Sequence, residues 1–301
     1  LEVPLTADNI TLCPVCHTSE RETVTRTTGY DLVRCTDCGL VEKRYREAGE
    51  LNLQAKRDEV YSEAALKSRL SNPLFYQIAR QRLELLQQVV PDGRLLEIGC
   101  ATGEFLTTAR EAGYEVSGVD SSVRFSEHLR EQGIDVDTGD FEQIALPETG
   151  FDIVAGFHLL EHIPEPLPFL DKVATLLSPN GLLFLITPNT ASRTDQLFAW
   201  DHPMFTEADH VCLYSPASVQ RLLTAAGFEL ITMTTREPTH HLFTSLKIFL
   251  KQSSSPWRQI VGKFVKPYFL TALLNCWLKR RATRLDNDQA GHEIVSIARK
   301  L

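Results

Sequence analysis

Leu95-Leu96-Glu97-Ile98-Gly99-Cys100-Ala101-Thr102-Gly103-Glu104-Phe105-Leu106 is the segment from which the fold is read. A short apolar run meets a glycine, a second glycine follows four residues later, and an amphipathic stretch begins at once: strand, tight turn, helix. Glycine at 99 and 103 lets the backbone turn sharply and come close to a ligand. Glu97 stands at the strand end, where its charge suits a cationic ligand and repels a pyrophosphate; the G-x-G-x-x-G spacing of dinucleotide sites is absent. Further apolar runs, 115–119, 134–136, 151–156, 182–187 and 228–233, alternate with amphipathic stretches. That alternation predicts an α/β fold, a parallel sheet covered by helices on both faces, with ligands bound beyond the C-terminal strand ends. Pro73 opens a helix carrying Leu74, Phe75, Ile78, Leu83, Leu86 and Val90 near helical spacing, and another runs from Pro216 to Ala226, stopped by Gly227.

The other strand ends carry matching chemistry. Asp120 closes Val116-Ser117-Gly118-Val119-Asp120, Gly139-Asp140-Phe141 follows the third strand, and Phe151-Asp152-Ile153-Val154 runs into Gly156-Phe157-His158-Leu159-Leu160-Glu161-His162-Ile163-Pro164. Together these segments resemble class I S-adenosylmethionine-dependent methyltransferases over about residues 75–235, with motif I at 95–106. The resemblance implies a Rossmann-like seven-stranded methyltransferase sheet and S-adenosylmethionine as cofactor. It assigns Glu97, Gly99, Cys100, Ala101 and Gly103 to the cofactor turn, Asp120 and Ser121 to the ribose, Asp140 and Phe141 to the adenine, and His158 and Leu159 to the cofactor's flank. Ala101 stands where the family has its middle glycine, a small change that leaves the turn feasible. Cys100 has no base in its neighbourhood and reads as a packing thiol. The alternating His292-Glu293-Ile294-Val295-Ser296-Ile297-Ala298 reads as the family's last, antiparallel strand beside Phe228–Thr235. Residues 238–291 then form a helical insertion before it. The domain division is 1–45, 46–90 as helical linker and N-terminal helix, and 91–301 as methyltransferase domain.

Cys13-Pro14-Val15-Cys16 and Cys35-Thr36-Asp37-Cys38-Gly39 lie 18 residues apart, with a β-branched hairpin around Gly29 between them. Two such knuckles bring four thiolates into the tetrahedral arrangement that zinc accepts, so residues 1–45 read as a zinc ribbon with a closed, structural site. The alternative is a set of ordinary thiols or a redox pair. A module this small buries too little core to fold by itself, and the metal would supply much of its folding energy.

Methyl transfer needs a positioned nucleophile, an excluded solvent and often a base. Histidine suits the last task near neutral pH, and the chain has nine. Members of the resembled family carry a similar histidine before a Tyr/Phe-Ser step in the loop after the fifth strand, and His210 before Tyr214-Ser215 matches it; the resemblance therefore ranks His210 first as general base, with His162 and His202 behind. Each also has a plain structural reading: a loop hydrogen bond or helix-start packing. His158-Leu159-Leu160-Glu161-His162 matches H-x-x-E-H of zinc proteases, but it straddles a strand end and Pro164 and Pro166 interrupt the helix such a site needs. The segment is similar to the E-x-x-E-H of ubiquinone-type O-methyltransferases, which implies a divalent metal; His158 in place of the first acid weighs against a catalytic Mg2+. Asn189 is read as a turn residue rather than a substrate ligand.

The formal net charge of −8 argues against a nucleic-acid partner, and residues 1–45 hold five Lys or Arg against seven Asp or Glu. Residues 238–291 are the exception: nine Lys or Arg face only Asp286 and Asp288, interleaved with Phe, Trp and Leu. That insertion reads first as a lid or a homodimer contact, then as a peripheral membrane helix, and last as a nucleic-acid surface. No apolar run is long enough to span a bilayer and no signal peptide is visible, so the cytoplasm is the expected compartment. The functional expectation is O-directed methyl transfer to a small-molecule, sugar or glycan-precursor acceptor. The alternatives are an rRNA or tRNA base methyltransferase and a non-catalytic binding module.

Overall fold

The computed structural model describes residues 12–45, 62–146, 149–193, 203–238, 286 and 290–301. His202 and almost all of the 238–291 segment, with the lid, dimer and membrane readings attached to it, lie outside the described residues.

Three short strands open the chain: β1 (Arg21–Arg26), β2 (Tyr30–Cys35) and β3 (Val41–Tyr45), joined as an antiparallel meander. Helix α1 (Glu63–Leu70) is capped by Ser62, whose hydroxyl oxygen accepts from the Ala65 N–H. Helix α2 (Pro73–Gln87) starts where Asn72 caps it and Pro73 fills the first turn. Then follow β4 (Arg94–Ile98), α3 (Glu104–Glu111), β5 (Glu115–Asp120), α4 (Val123–Glu131), β6 (Asp135–Thr138), β7 (Phe151–Phe157), α5 (Pro166–Leu176) and β8 (Leu177–Pro188). Short α6 (Pro203–Thr206) and two-residue β9 (Cys212–Leu213) precede α7 (Pro216–Ala225), β10 (Phe228–Arg236) and β11 (Glu293–Lys300).

The large sheet has seven strands in the order β10-β11-β8-β7-β4-β5-β6. Strands β4 to β8 run parallel, and β11 enters antiparallel between β8 and β10, from Glu293↔Pro188 on one side and Arg236↔Glu293 on the other. Because side chains alternate along a strand, the sheet feeds two cores. Leu95, Ile153, Ala155 and Phe184 face one cluster with Leu83 and Leu86 of α2 and Leu106 of α3. Leu96, Ile98, Val154 and Leu183 face the other, with Phe169 and Val173 of α5 and Leu222 of α7. These layers aim the parallel strand tips, and the turns after them, at one edge of the domain.

Gly103 shows why that edge tolerates so little. It caps α3 with φ +75°, and a Cβ there would lie 2.2 Å from Cδ2 of Leu129. Leu129 is fully buried, so its side chain would have to repack within the core. Gly103→Ala is expected to cost about 2–4 kcal/mol, combining left-handed strain with overpacking. Chemical denaturation measures this directly; an unchanged midpoint would mean that Leu129 repacks freely.

Val41 and Glu42 of β3 pair with Leu213 and Cys212 of β9, so the small sheet takes its fourth strand from the methyltransferase-like region.

Candidate active site

The turn after β4 is a chain of left-handed residues: Gly99 at φ +75°, Ala101 at +47° and Gly103 at +75°. Ala101 therefore adopts the conformation expected of the glycine it replaces. The Gly99 N–H donates to the Val119 carbonyl at 2.8 Å, tying the turn to β5. Asp120, buried at the tip of β5, accepts from the Ala101 N–H at 2.7 Å and the Ser122 N–H at 2.8 Å. Each carboxylate oxygen keeps lone-pair capacity for a ribose hydroxyl, so the same side chain shapes the turn and faces the ligand. Burial raises its pKa, partly offset by those two N–H groups.

Glu97 is buried, and its Oε2 has no hydrogen-bond partner among the described residues. Burial pushes its carboxyl well above the usual range, against the pull of the Arg82 guanidinium. An orphaned acid beside a left-handed turn is a poor place for phosphate and a good one for an ammonium or sulfonium group. These residues therefore fit S-adenosylmethionine. Leu159 lies over Gly99, its Cδ1 3.6 Å from where a Cβ would stand, and Ser121 is exposed on the rim. Cys100 is buried with its sulfur against Gly118, where an added Cβ would approach within 2.7 Å; burial raises its thiol pKa, as packing requires. Asp140 is half-buried and accepts from the Glu142 N–H at 3.1 Å. The ring of Phe141 is turned into the core, edge-on to Phe169 with centroids 5.2 Å apart.

Arg69 reaches the turn from α1: its Nε donates to Thr102 Oγ1 at 3.0 Å and its Nη2 lies 3.6 Å from Glu104. Nothing in its spacing distinguished it from the other charges of the linker.

Beyond β7 an acid–histidine network forms. His158, at φ +51°, places Nδ1 3.4 Å from Glu161 and Nε2 3.2 Å from Glu293 at the start of β11. Burial disfavours its charge, but the two carboxylates outweigh that and hold the pKa up at about 9. Burial likewise opposes ionisation of Glu161, yet His158 brings its pKa down to about 2. A histidine raised from 6.5 to about 9 contributes stability that is complete below about pH 6.5 and is lost as pH rises through 9. Wild-type stability is therefore expected to fall between pH 7 and 10, and His158→Gln to flatten that slope in pH-resolved thermal melts. Equal slopes would mean that His158 is neutral in the folded protein.

Glu161 also links this network to the candidate bases. Its Oε2 accepts from Thr187 Oγ1 at 2.9 Å, and its backbone carbonyl accepts from the Val211 N–H at 2.9 Å. The rings of His162 and His210 meet edge-on with centroids 4.8 Å apart. His162 Nδ1 lies 3.0 Å from the Asp209 carbonyl oxygen; a carbonyl only accepts, so Nδ1 carries a proton there and Nε2 is the ring atom left for other partners. Glu161, His162 and His210 each offer one ligand-type atom within 4.8 Å of the others. Two imidazoles beside one carboxylate suit a transition metal better than Mg2+, which prefers oxygen. Asn189 is wholly buried, its side chain donating to the Gly291 carbonyl and accepting from the Ala191 N–H, so it is a turn residue.

The four N-terminal cysteines converge. The Cys13 and Cys38 sulfurs are 3.5 Å apart, as are those of Cys16 and Cys35, and all four lie within 4.8 Å of one another. Left-handed His17 and Gly39 complete the two knuckles. Four thiols at this separation fit a single zinc ion.

A seven-stranded sheet with one antiparallel insertion, and acids at neighbouring strand tips around a glycine bend, define a Rossmann-like nucleoside-cofactor fold. The chain belongs to the methyltransferase domain family, whose model matches residues 71–233, more than half of its length. It is 31% identical over 128 residues to a ubiquinone biosynthesis O-methyltransferase of Histophilus somni, covering 38% of this chain and 54% of that one. A namesake of Xanthomonas euvesicatoria is 33% identical over 135 residues, covering 42% and 53%. The chain thus spans about half the length of the curated relatives it matches. Among solved structures, an S-adenosylmethionine-dependent methyltransferase of Thermotoga maritima superposes with TM-score 0.53 at 18% identity, over 80% of this chain and 98% of that one. Another, of Archaeoglobus fulgidus, reaches 0.50 at 17% identity, over 83% and 100%. These two likenesses concern the fold.

Proposed function

We propose that this protein transfers a methyl group from S-adenosylmethionine to the oxygen of a small-molecule, sugar or glycan-precursor acceptor, with His210 as general base. The observation that carries this reading is the orphaned buried Glu97 beside the left-handed turn and Asp120, with a histidine pair at the next strand tip. Bound there, the cofactor supplies a methyl group on a positively charged sulfur. Glu97 meets the cationic end, Asp120 and Ser121 the ribose, Asp140 the adenine edge, and Leu159 covers the turn. His210 takes the proton from the acceptor hydroxyl, while Glu161 fixes the loop through its carbonyl and its negative charge favours the resulting imidazolium. We read the four cysteines as a structural zinc site. Among the described residues no helix is long and apolar enough to cross a membrane, and a cytoplasmic location accords with that reading.

Calorimetric titration with S-adenosylmethionine tests the first half. Asp120→Ala is expected to weaken binding by about 1–3 kcal/mol, through lost ribose hydrogen bonds and a loosened turn. Affinity equal to wild type would place the ribose elsewhere. An RNA acceptor is disfavoured by the acidity of residues 1–45, and a salt-sensitive gel shift with ribosomal RNA would revive it.

A further inference from the structure

The strand that ends the cysteine module also holds the loop that carries His210. Residues 207–211 offer three carbonyls to it: the Lys43 N–H donates to Val211 at 2.9 Å, the Lys43 ammonium to Glu207, and the Tyr45 hydroxyl to Ala208. Lys43 and Tyr45 are 1% and 4% exposed, far too buried for surface residues of a free-standing module. Their rings and charge are braced in turn, Lys43 over the Tyr30 ring at 4.7 Å and Tyr30 against Tyr45 at 5.7 Å. On its other side the same loop is tied inward, through the Val211 N–H to the Glu161 carbonyl. Phe205, just before the loop, packs with Leu32, Val41 and Leu213. Cys13, Cys35 and Cys38 share one core cluster with Leu160, Ile163 and Tyr214, the residues around the histidine pair.

We propose that the cysteine module is the frame of the catalytic loop, with Lys43 and Tyr45 as positioning residues that set His210 against His162. The alternative, a separate bead that docks an outside partner, leaves the burial of Lys43 and the shared strand without purpose. The proposal rests on the reading of His210 as base, and its test is chosen to be independent of that chemistry.

Hydrogen–deuterium exchange and histidine-labelled NMR on the full-length protein with bound S-adenosylmethionine provide the readouts. In Tyr45→Phe, which removes one hydroxyl and leaves no cavity, exchange of the 207–213 backbone is expected to rise roughly three- to tenfold. Lys43→Met should raise it further, and both variants should move the ring signals of His162 and His210 while cofactor affinity stays within about twofold. Stripping metal with a chelator should loosen 207–213 together with 13–45. Unchanged exchange at 207–213 and unmoved histidine signals in Tyr45→Phe, or loosening confined to 13–45 after chelation, would overturn the proposal. His210→Ala must leave exchange in the loop near wild type; if it does, and methyl transfer is nevertheless unaffected, the base assignment fails while the frame stands.

Discussion

His210→Ala is expected to slow methyl transfer by roughly two to four orders of magnitude, while S-adenosylmethionine binds as tightly as before. The expectation follows from position. His210 sits past the tip of β8, in the loop beside the acid–histidine network, and its ring meets that of His162 with centroids 4.8 Å apart. Removing it takes away the proposed proton acceptor and leaves Glu97, Asp120 and the left-handed turn in place. Transfer of an isotopically labelled methyl group into metabolite extracts, followed by mass spectrometry, measures the loss and names the acceptor together. His162→Ala is the control. Its Nδ1 donates to the Asp209 carbonyl and only Nε2 is left to accept a proton, so a loss larger than that of His210→Ala would exchange the roles of the two histidines.

Cys38→Ala is expected to have the largest effect on stability. A structural zinc site contributes on the order of 10–16 kcal/mol at neutral pH in small modules, and removing one of four thiolates forfeits a large part of that. Here the damage should not stay local. Cys38 is 6% exposed and lies in the same core as Leu160, Ile163, Val219 and Tyr214. A lower midpoint for the whole chain, in a single transition with zinc released stoichiometrically, is the expected result. A second transition confined to the first 45 residues, or an undisturbed melt, would separate the cysteine module energetically from the rest.

Most of the fold was legible because its signals are local. The strand, turn and helix of residues 95–106 follow from two glycines and a change of hydrophobic period, and the strands ending at Asp120 and Phe157 from similar punctuation. The final strand was recognised from its alternation and the family resemblance, and it lies beside β10 as read. The site was legible where a motif residue carries its own chemistry, as Glu97, Asp120 and the four cysteines do. It was less so where function depends on a partner remote in sequence. His158 bridges to Glu293, 135 residues away, and nothing at either position announces the other. Phe141 reads as an adenine neighbour, and its ring also packs edge-on against Phe169, a contact that the motif itself does not announce. The pairing of β3 with β9 joins segments 170 residues apart through main-chain hydrogen bonds, which no side-chain pattern encodes.

Strand β11 fills the gap between β8 and β10 and follows both of them in the chain. Until Glu293–Lys300 has left the ribosome, β8 presents an open edge and β10 has no neighbour in the sheet. The cofactor-binding half can therefore nucleate early on β4 to β7, but the sheet cannot close until β11 has been made. Its exposed strand edges must be shielded from other chains until then, which makes the interval between the synthesis of β10 and that of β11 the vulnerable step in its biogenesis.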